Sequence, residues 1–109
     1  MTIDIATTIN SNRALLRSQA EVCLNHCLTL KSNEIVLDFG NLEAMTSAWI
    51  NFLIIGLADC DILNKVRIAH VKEAVWQLKI DEAYKMATNQ VYRQHVEEIW
   101  HSFIENLEN

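Results

Sequence analysis

The stretch from Glu34 to Cys60, EIVLDFGNLEAMTSAWINFLIIGLADC, decides the fold that we predict for this chain. Its first apolar run, Ile35 to Leu37, is rich in β-branched residues and too short for a free-standing helix, so it predicts a strand. The cluster Asp38 to Asn41 is typical of a turn. Ser47 is placed to be the N-cap of a helix over the second apolar run, from Ala48 to about Cys60. A buried strand, a tight loop and a capped helix therefore form the centre of the predicted fold.

The sequence before this stretch predicts one strand and one helix. Thr2 to Ile9 alternates between apolar and polar residues, which is typical of a half-buried strand near a sheet edge. Residues from Arg13 to about Leu30 carry an apolar stripe at helical spacing, which predicts an amphipathic helix laid on the sheet. In the strand from Ile35 to Phe39, apolar residues follow one another without alternating with polar ones up to Asp38. We therefore expect this strand to be covered on both faces.

The sequence after this stretch predicts a third strand and several helices. Lys65 to Val71 alternates as a strand does, and Lys72 to Leu78 predicts a short helix with Ala74, Val75 and Leu78 facing inward. A short element from Asp81 to Met86 and a final helix from Asn89 to Leu107 follow. The stripe of that final helix consists of Tyr92, Val96, Ile99, Trp100, Phe103 and Leu107.

This order of elements predicts one α/β domain over residues 1–109. We expect a small mixed, mainly parallel sheet of three or four strands covered by helices, with a C-terminal helix. The helix from Ala48 is apolar nearly all round, so we expect it to be deeply buried or partly covered by another chain, with Gly56 permitting close approach of a neighbour. Exposed parts of this helix or of the C-terminal helix are candidates for a homodimer interface.

Composition narrows the function classes. The chain has 109 residues, half of them hydrophobic, and a formal net charge of −5 without a basic cluster, which disfavours nucleic-acid binding. The N-terminus lacks the basic region of a signal peptide, and the apolar run from Ala48 to Ala58 is too short to span a bilayer. Three cysteines without the spacing of a disulfide scaffold indicate a protein with reduced thiols. Together these features predict a cytoplasmic protein that is not inserted into a membrane.

Two groups of residues are candidates for chemical centres. Cys23, His26 and Cys27 have a spacing at which they could approach one metal ion, but a fourth zinc ligand is missing and both cysteines continue an apolar stripe, so packing is favoured. Cys60 and His70 could be a nucleophile and its base, but the sequence supplies no orienting third group. We therefore expect no metal, no cofactor and no enzymatic activity, with a small enzyme or metal-binding protein as the disfavoured alternative.

The hydroxyls of Thr46 and Ser47 stand at the start of the predicted helix. Backbone N–H groups and the positive end of the helix dipole favour a negative charge there. Phosphorylation would place a dianion at this point and change the surface that a partner meets. The structural interpretation is an N-cap worth about 1 kcal/mol, and the residues alone favour it.

Three stretches resemble the STAS superfamily, the fold of the anti-sigma-factor antagonists, and most closely the bacterial STAS-like domain family of unknown function. Arg17 to Ala20 (RSQA) resembles the signature that opens the first helix of that family. Ile35 to Leu53 resembles its strand, Asp-Phe turn and helix. His70 to Leu78, followed by Ile80-Asp81, resembles the exit from the last strand and the helix after it.

The resemblance implies a non-enzymatic regulatory domain that binds a protein partner, such as a histidine-kinase-like ATPase or a sensor, at the strand–helix junction. In the antagonists this junction reads Asp-Ser-Ser, and the last Ser is phosphorylated. Thr46, Ser47 and Ala48 occupy those positions here, so the phosphorylation switch would need Ser47 or Thr46 as a shifted acceptor. Our candidate recognition residues lie between positions 38 and 49: Asp38, Gly40, Asn41, Thr46, Ser47, Ala48 and Trp49, with Ser47 as the candidate phosphoacceptor.

Overall fold

The computed structural model describes residues 1–89 and 97–102 of the chain. In chain order its elements are β1 (Thr2–Asp4), α1 (Ile5–Ile9), β2 (Arg13–Ala14), α2 (Arg17–Thr29), β3 (Ile35–Asp38), β4 (Ala44–Met45), α3 (Ser47–Asp59), a 3-10 turn (Leu63–Lys65), β5 (Val66–Ala69) and α4 (Ala74–Thr88). Residues 97–102 are also helical. The α/β class is confirmed.

A sheet of three parallel strands, in the order β1-β3-β5, forms the centre of the fold. Leu37 of β3 stands opposite Ile3 of β1 and Ile68 of β5. The small, mainly parallel sheet and the position of β1 at its edge are therefore as predicted. In β3, Ile35 and Leu37 are buried while Val36 and Asp38 are only half-buried. The prediction that this strand is covered on both faces was wrong for the face of Val36 and Asp38, which stays partly open.

The first nine residues form a short strand and a helix, where the sequence predicted a strand throughout. Ile5 and Ile9 are buried on α1. Their spacing, i and i+4, matches one face of a helix as well as one face of a strand. Asp4 favours the helix because its Oδ2 accepts a hydrogen bond from Thr7 Oγ1 at 2.6 Å and its carbonyl accepts one from Thr8 Oγ1 at 3.1 Å.

The helix α2 begins at Arg17, because Gln19 holds the residues before it in another conformation. Gln19 Oε1 accepts hydrogen bonds from the backbone N–H groups of Leu15 and Leu16, each at 2.9 Å. Its Nε2 donates to the carbonyl of Arg13 at 3.1 Å. Residues 13–14, predicted to be helical, instead form β2, which pairs in parallel with β4. This ladder joins the segment that enters α2 to the segment that enters α3.

The helix α3 packs between α2 and α4, and its inner residues share one core with the sheet. Its buried residues are Trp49, Ile50, Leu53, Ile54 and Leu57. Gly56 permits the close approach that the sequence predicted, because a Cβ there would lie 2.6 Å from Leu24 Cδ2. The nearly continuous apolar surface of α3 is thus largely explained by cover from its own chain.

The helix α4 is one continuous element, where the sequence predicted two short ones. Trp76, Ile80 and Ala83 face the core. Ala74 is exposed, and so are Val75 and Leu78, by 56% and 68%. Their predicted inward orientation was wrong. Trp76, Ile80 and Ala83 form a competing stripe at helical spacing, and this stripe buries the larger indole.

The predicted C-terminal helix falls partly within the described residues. Residues 97–102 are helical, and the side chains of Ile99 and Trp100 are exposed. The other positions of the predicted stripe, Tyr92, Val96, Phe103 and Leu107, lie outside the described residues. Within residues 1–89 and 97–102, no helix has the length and apolarity needed to cross a membrane.

Candidate functional site

Polar side chains meet at the carboxyl edge of the parallel sheet. Asp4 ends β1, Asp38 ends β3 and His70 follows β5 directly. Because all three strands run in the same direction, these ends lie at one edge, which is where open α/β sheets bind ligands. Of these residues, only Asp38 was selected as a recognition residue from the sequence.

Asp38 forms the centre of this edge. Its Oδ1 accepts a hydrogen bond from the backbone N–H of Gly40 at 2.8 Å and lies 2.9 Å from His70 Nδ1. The Gly40 N–H first, and then His70, hold the pKa of Asp38 below its usual range. The carboxylate is therefore ionised at neutral pH, and its Oδ1 is held by both the Gly40 N–H and His70.

Gly40 and Asn41 fill the space between the strand ends. A Cβ on Gly40 would lie 2.9 Å from Asp38 Oδ1 and 3.4 Å from His70 Cβ, so a larger residue would displace this contact. Asn41 Nδ2 donates to Asp4 Oδ2 at 3.2 Å. The structure thus brings the predicted Asp38, Gly40 and Asn41 together and adds Asp4 and His70. A rule that selects the polar residue at each strand end would have found both additions.

Thr46, and not Ser47, is the N-cap of α3. Thr46 Oγ1 accepts a hydrogen bond from Trp49 N at 3.2 Å and donates one to the carbonyl of Leu15 at 3.0 Å. The backbone of Thr46 is extended, and its N–H donates to the carbonyl of Ala14 at 2.9 Å. The predicted cap was wrong by one residue, because β4 carries the extended conformation as far as Thr46.

The other candidate residues of α3 divide between surface and core. Ser47 and Ala48 occupy the first turn of the helix, and both are exposed. Trp49 is fully buried, and its ring meets that of Phe39 edge to face, with centroids 6.1 Å apart. Trp49 was selected as a recognition residue, but its side chain lies in the core and is not accessible at the surface.

A groove runs between the first turns of α3 and the middle of α4. It encloses about 250 Å³ and is lined by Ser47, Asn51, Val75, Leu78, Lys79 and Glu82. Two lysines, one in the segment between β5 and α4 and one in α4, donate hydrogen bonds to the backbone before α3. Lys72 Nζ donates to the carbonyl of Leu42 and Lys79 Nζ to that of Met45, each at 3.2 Å. These bonds hold the backbone of Leu42 and Met45, while the groove itself combines the exposed apolar Val75 and Leu78 with polar side chains.

The cysteines and the histidine of α2 differ in their exposure to solvent. Cys23 and Cys27 are buried on the inner face of α2, whereas the His26 side chain is exposed. A hydrogen bond with Cys27 and burial both raise the pKa of the Cys23 thiol, which keeps that thiol neutral. Across the described residues, no group of three or more His, Cys, Asp or Glu side chains could hold a metal ion.

Comparisons with known proteins return no relatives. No family model matches the chain, and neither a curated protein nor a solved structure matches it significantly. The resemblance to the STAS superfamily therefore stays a prediction that depends on the stretches quoted above.

The cap of α3 can be tested with two neighbouring hydroxyls. We expect Thr46→Ala to lower the free energy of unfolding by about 1–2 kcal/mol, because it removes the cap and leaves the carbonyl of Leu15 without its donor. Ser47→Ala is the matched control, with an expected change within about 0.5 kcal/mol. Urea unfolding followed by circular dichroism measures both. Equal losses for the two variants would contradict the assignment of Thr46 as the cap.

The environment of Asp38 predicts a pH dependence of stability. Its folded pKa lies below the unfolded value of about 4, so the ionised carboxylate stabilises the fold above about pH 4. This contribution disappears as the pH falls through the folded pKa. We expect the difference in unfolding free energy between wild type and Asp38→Asn to be largest near neutral pH and to shrink below about pH 4.

Urea unfolding in a pH series measures this difference. Ser47→Ala removes no titratable group, so its difference from wild type should stay constant over the same range. A constant difference for Asp38→Asn would show that the carboxylate is not stabilised in the folded protein.

Proposed function

We propose that this chain is a non-enzymatic, STAS-like regulatory domain that binds a protein partner through the strand–helix junction at residues 40–50. The observation that carries the proposal is the exposure of Val75 and Leu78 beside the first turn of α3. Exposed apolar residues grouped in a groove with a polar rim are typical of a protein-binding surface. With Ser47, Ala48 and Asn41, they offer both apolar contact and hydrogen bonds.

The rigidity of the junction supports this interpretation. The β2–β4 ladder, the Thr46 cap and the bonds from Lys72 and Lys79 hold the segment from Leu42 to Thr46 in place. A surface that is ordered before binding loses little conformational entropy when a partner docks, which favours affinity. By resemblance, the partner we propose is a histidine-kinase-like ATPase or a sensor in the bacterial cytoplasm.

Charge substitutions at Leu78 in the groove and at Asn41 in the loop before α3 test the proposal. We expect Leu78→Glu and Asn41→Arg each to reduce partner capture at least about 10-fold, because each places a charge where the contact excludes water. Val22→Glu is the matched control, since Val22 is likewise exposed but lies on α2, outside the groove. The measurement is affinity capture from a lysate of the native host with quantitative mass spectrometry.

The pattern across the variants decides the outcome. A captured protein lost with Leu78→Glu and Asn41→Arg but kept with Val22→Glu supports the junction. Recovery of an untagged copy of this chain with the same dependence would identify a homodimer. Equal capture by all variants would place the binding surface elsewhere.

A phosphorylation switch at Ser47 is the second function that we propose. Ser47 is exposed at the first residue of a helix of 13 residues and lines the same groove as Lys79, so a phosphate there would meet free N–H groups and a cation. The hydroxyl of Thr46 already makes two hydrogen bonds. Ser47 is therefore the acceptor that we favour.

Mass spectrometry of protein purified from its native host tests this switch. We expect a fraction of the chain to carry one acid-stable phosphoryl group that maps to Ser47 and is absent from Ser47→Ala. We also expect Ser47→Asp to weaken partner capture, because the added charge mimics the modified state. Unmodified Ser47 under every growth condition sampled would contradict the switch and leave the binding proposal standing.

A further inference from the structure

The imidazole of His70 is held by a carboxylate at the edge of the sheet and faces solvent. His70 Nδ1 lies 2.9 Å from Asp38 Oδ1, and the His70 side chain is 72% exposed, while that of Asp38 is 25% exposed. The same Oδ1 accepts the Gly40 N–H at 2.8 Å. The carboxylate is thus fixed by the backbone and in turn orients the ring.

This contact determines the tautomer of the neutral ring. An ionised carboxylate only accepts hydrogen bonds, so Nδ1 carries the proton that it donates to Asp38. Nε2 then carries the free electron pair. A carboxylate that orients a histidine in this way makes the opposite nitrogen a better ligand or nucleophile.

The backbone of His70 is also unusual. Its φ is +59°, in the left-handed region that residues with a Cβ seldom adopt. Among the described residues, Asn10 and Asp61 also have positive φ, but each lies just beyond the end of a helix, where this conformation commonly terminates helices. His70 follows a strand. Backbone strain of this kind occurs preferentially at functional sites.

Three kinds of chemistry use such a ring, and the surroundings favour one. A metal site would need further ligands, and no suitable group of three occurs in the part of the chain that the structure describes. A general base needs a hydroxyl or thiol beside it, whereas the side-chain hydrogen bond of His70 within residues 1–89 and 97–102 is made with the Asp38 carboxylate. A phosphoacceptor needs only an accessible nitrogen and a carboxylate that balances the charge gained by the ring.

We propose that His70 is a phosphoacceptor, with Nε2 as the nucleophile and Asp38 as a positioning residue. The donor class is a phosphoramidate, in which phosphorus is bonded to nitrogen, as in a phosphohistidine. The electron pair of Nε2 attacks phosphorus, the donor P–N bond breaks, and the donor nitrogen leaves with the bonding pair. With phosphoramidate itself, which carries three protons on nitrogen, ammonia leaves. The ring keeps its Nδ1 proton and becomes a cation facing the Asp38 carboxylate.

This modification would alter the junction. It would place a dianion on the exposed ring of His70, whose Nδ1 lies against Asp38 at the edge of the sheet. A charge of that size changes which surfaces can dock there. The inference goes beyond the proposed binding function, and its test needs no partner.

Potassium phosphoramidate is the probe. The purified chain is incubated at neutral pH, and phosphorylated peptides are mapped without acid treatment. His26 is the internal control, because it is exposed and makes no ion pair among the described residues. We expect wild type to be modified at His70 at least about 10-fold faster than at His26, and His70→Gln to lose the faster site.

The variant Asp38→Asn tests whether the carboxylate positions His70, with His26 of the same chain as the reference. We expect it to slow modification of His70 about 10-fold and to leave the rate at His26 unchanged, so that a general loss of stability would not imitate the result. Equal rates at His70 and His26 in wild type would overturn the proposal even if a variant failed to fold. An unchanged His70 rate in Asp38→Asn would overturn the role of the carboxylate and, with it, the proposed activation.

Discussion

The burial of α3 between α2 and α4 is the constraint on which the rest of the structure depends. This helix presents apolar side chains on nearly all sides, and five of them are buried. Removing each such side chain from water is worth about 1.5–3 kcal/mol, so the helix needs cover on several faces at once. Gly56 lets α2 approach from one side, and Trp76, Ile80 and Ala83 of α4 supply a buried stripe. The position of α3 in turn fixes where its N-terminus meets the sheet.

The segment that precedes the N-terminus of α3 is held by hydrogen bonds instead of apolar contacts. Gln19 holds the residues before α2, the β2–β4 ladder joins them to Ala44 and Met45, and Thr46 passes directly from strand to cap. Lys72 and Lys79 add bonds from the other side. Because these bonds come from distant parts of the chain, the junction is a surface of fixed shape. Such a surface suits recognition, and the side chains that remain exposed there set its chemistry.

Two neighbouring regions of this surface differ in character. The groove beside Ser47 combines Val75 and Leu78 with polar rim residues, and we interpret it as the site of partner contact. The sheet edge carries two hydrogen-bonded pairs, Asp38 with His70 and Asn41 with Asp4. The segment from Gly40 to Thr46 connects the two regions. A charge added in either region would therefore change the binding of a partner that covers both regions.

The sequence by itself determined the α/β class, the parallel central strand at Ile35, the apolar helix predicted from Ala48 and the polar turn at Asp38 to Asn41. These features depend on local hydrophobic period and turn chemistry, which neighbouring residues specify. Tertiary structure decided which of two competing stripes α4 buries, whether Ile5 and Ile9 lie on a strand or a helix, and which hydroxyl caps α3. It also decided that Asp38 meets His70, 32 positions later in the chain. The stripe of α4, the cap at Thr46 and the Asp38–His70 pair depend on segments far apart in sequence, about which local periodicity carries no information. The helix at Ile5 depends on hydrogen bonds of Asp4 with Thr7 and Thr8, which the hydrophobic pattern does not reveal.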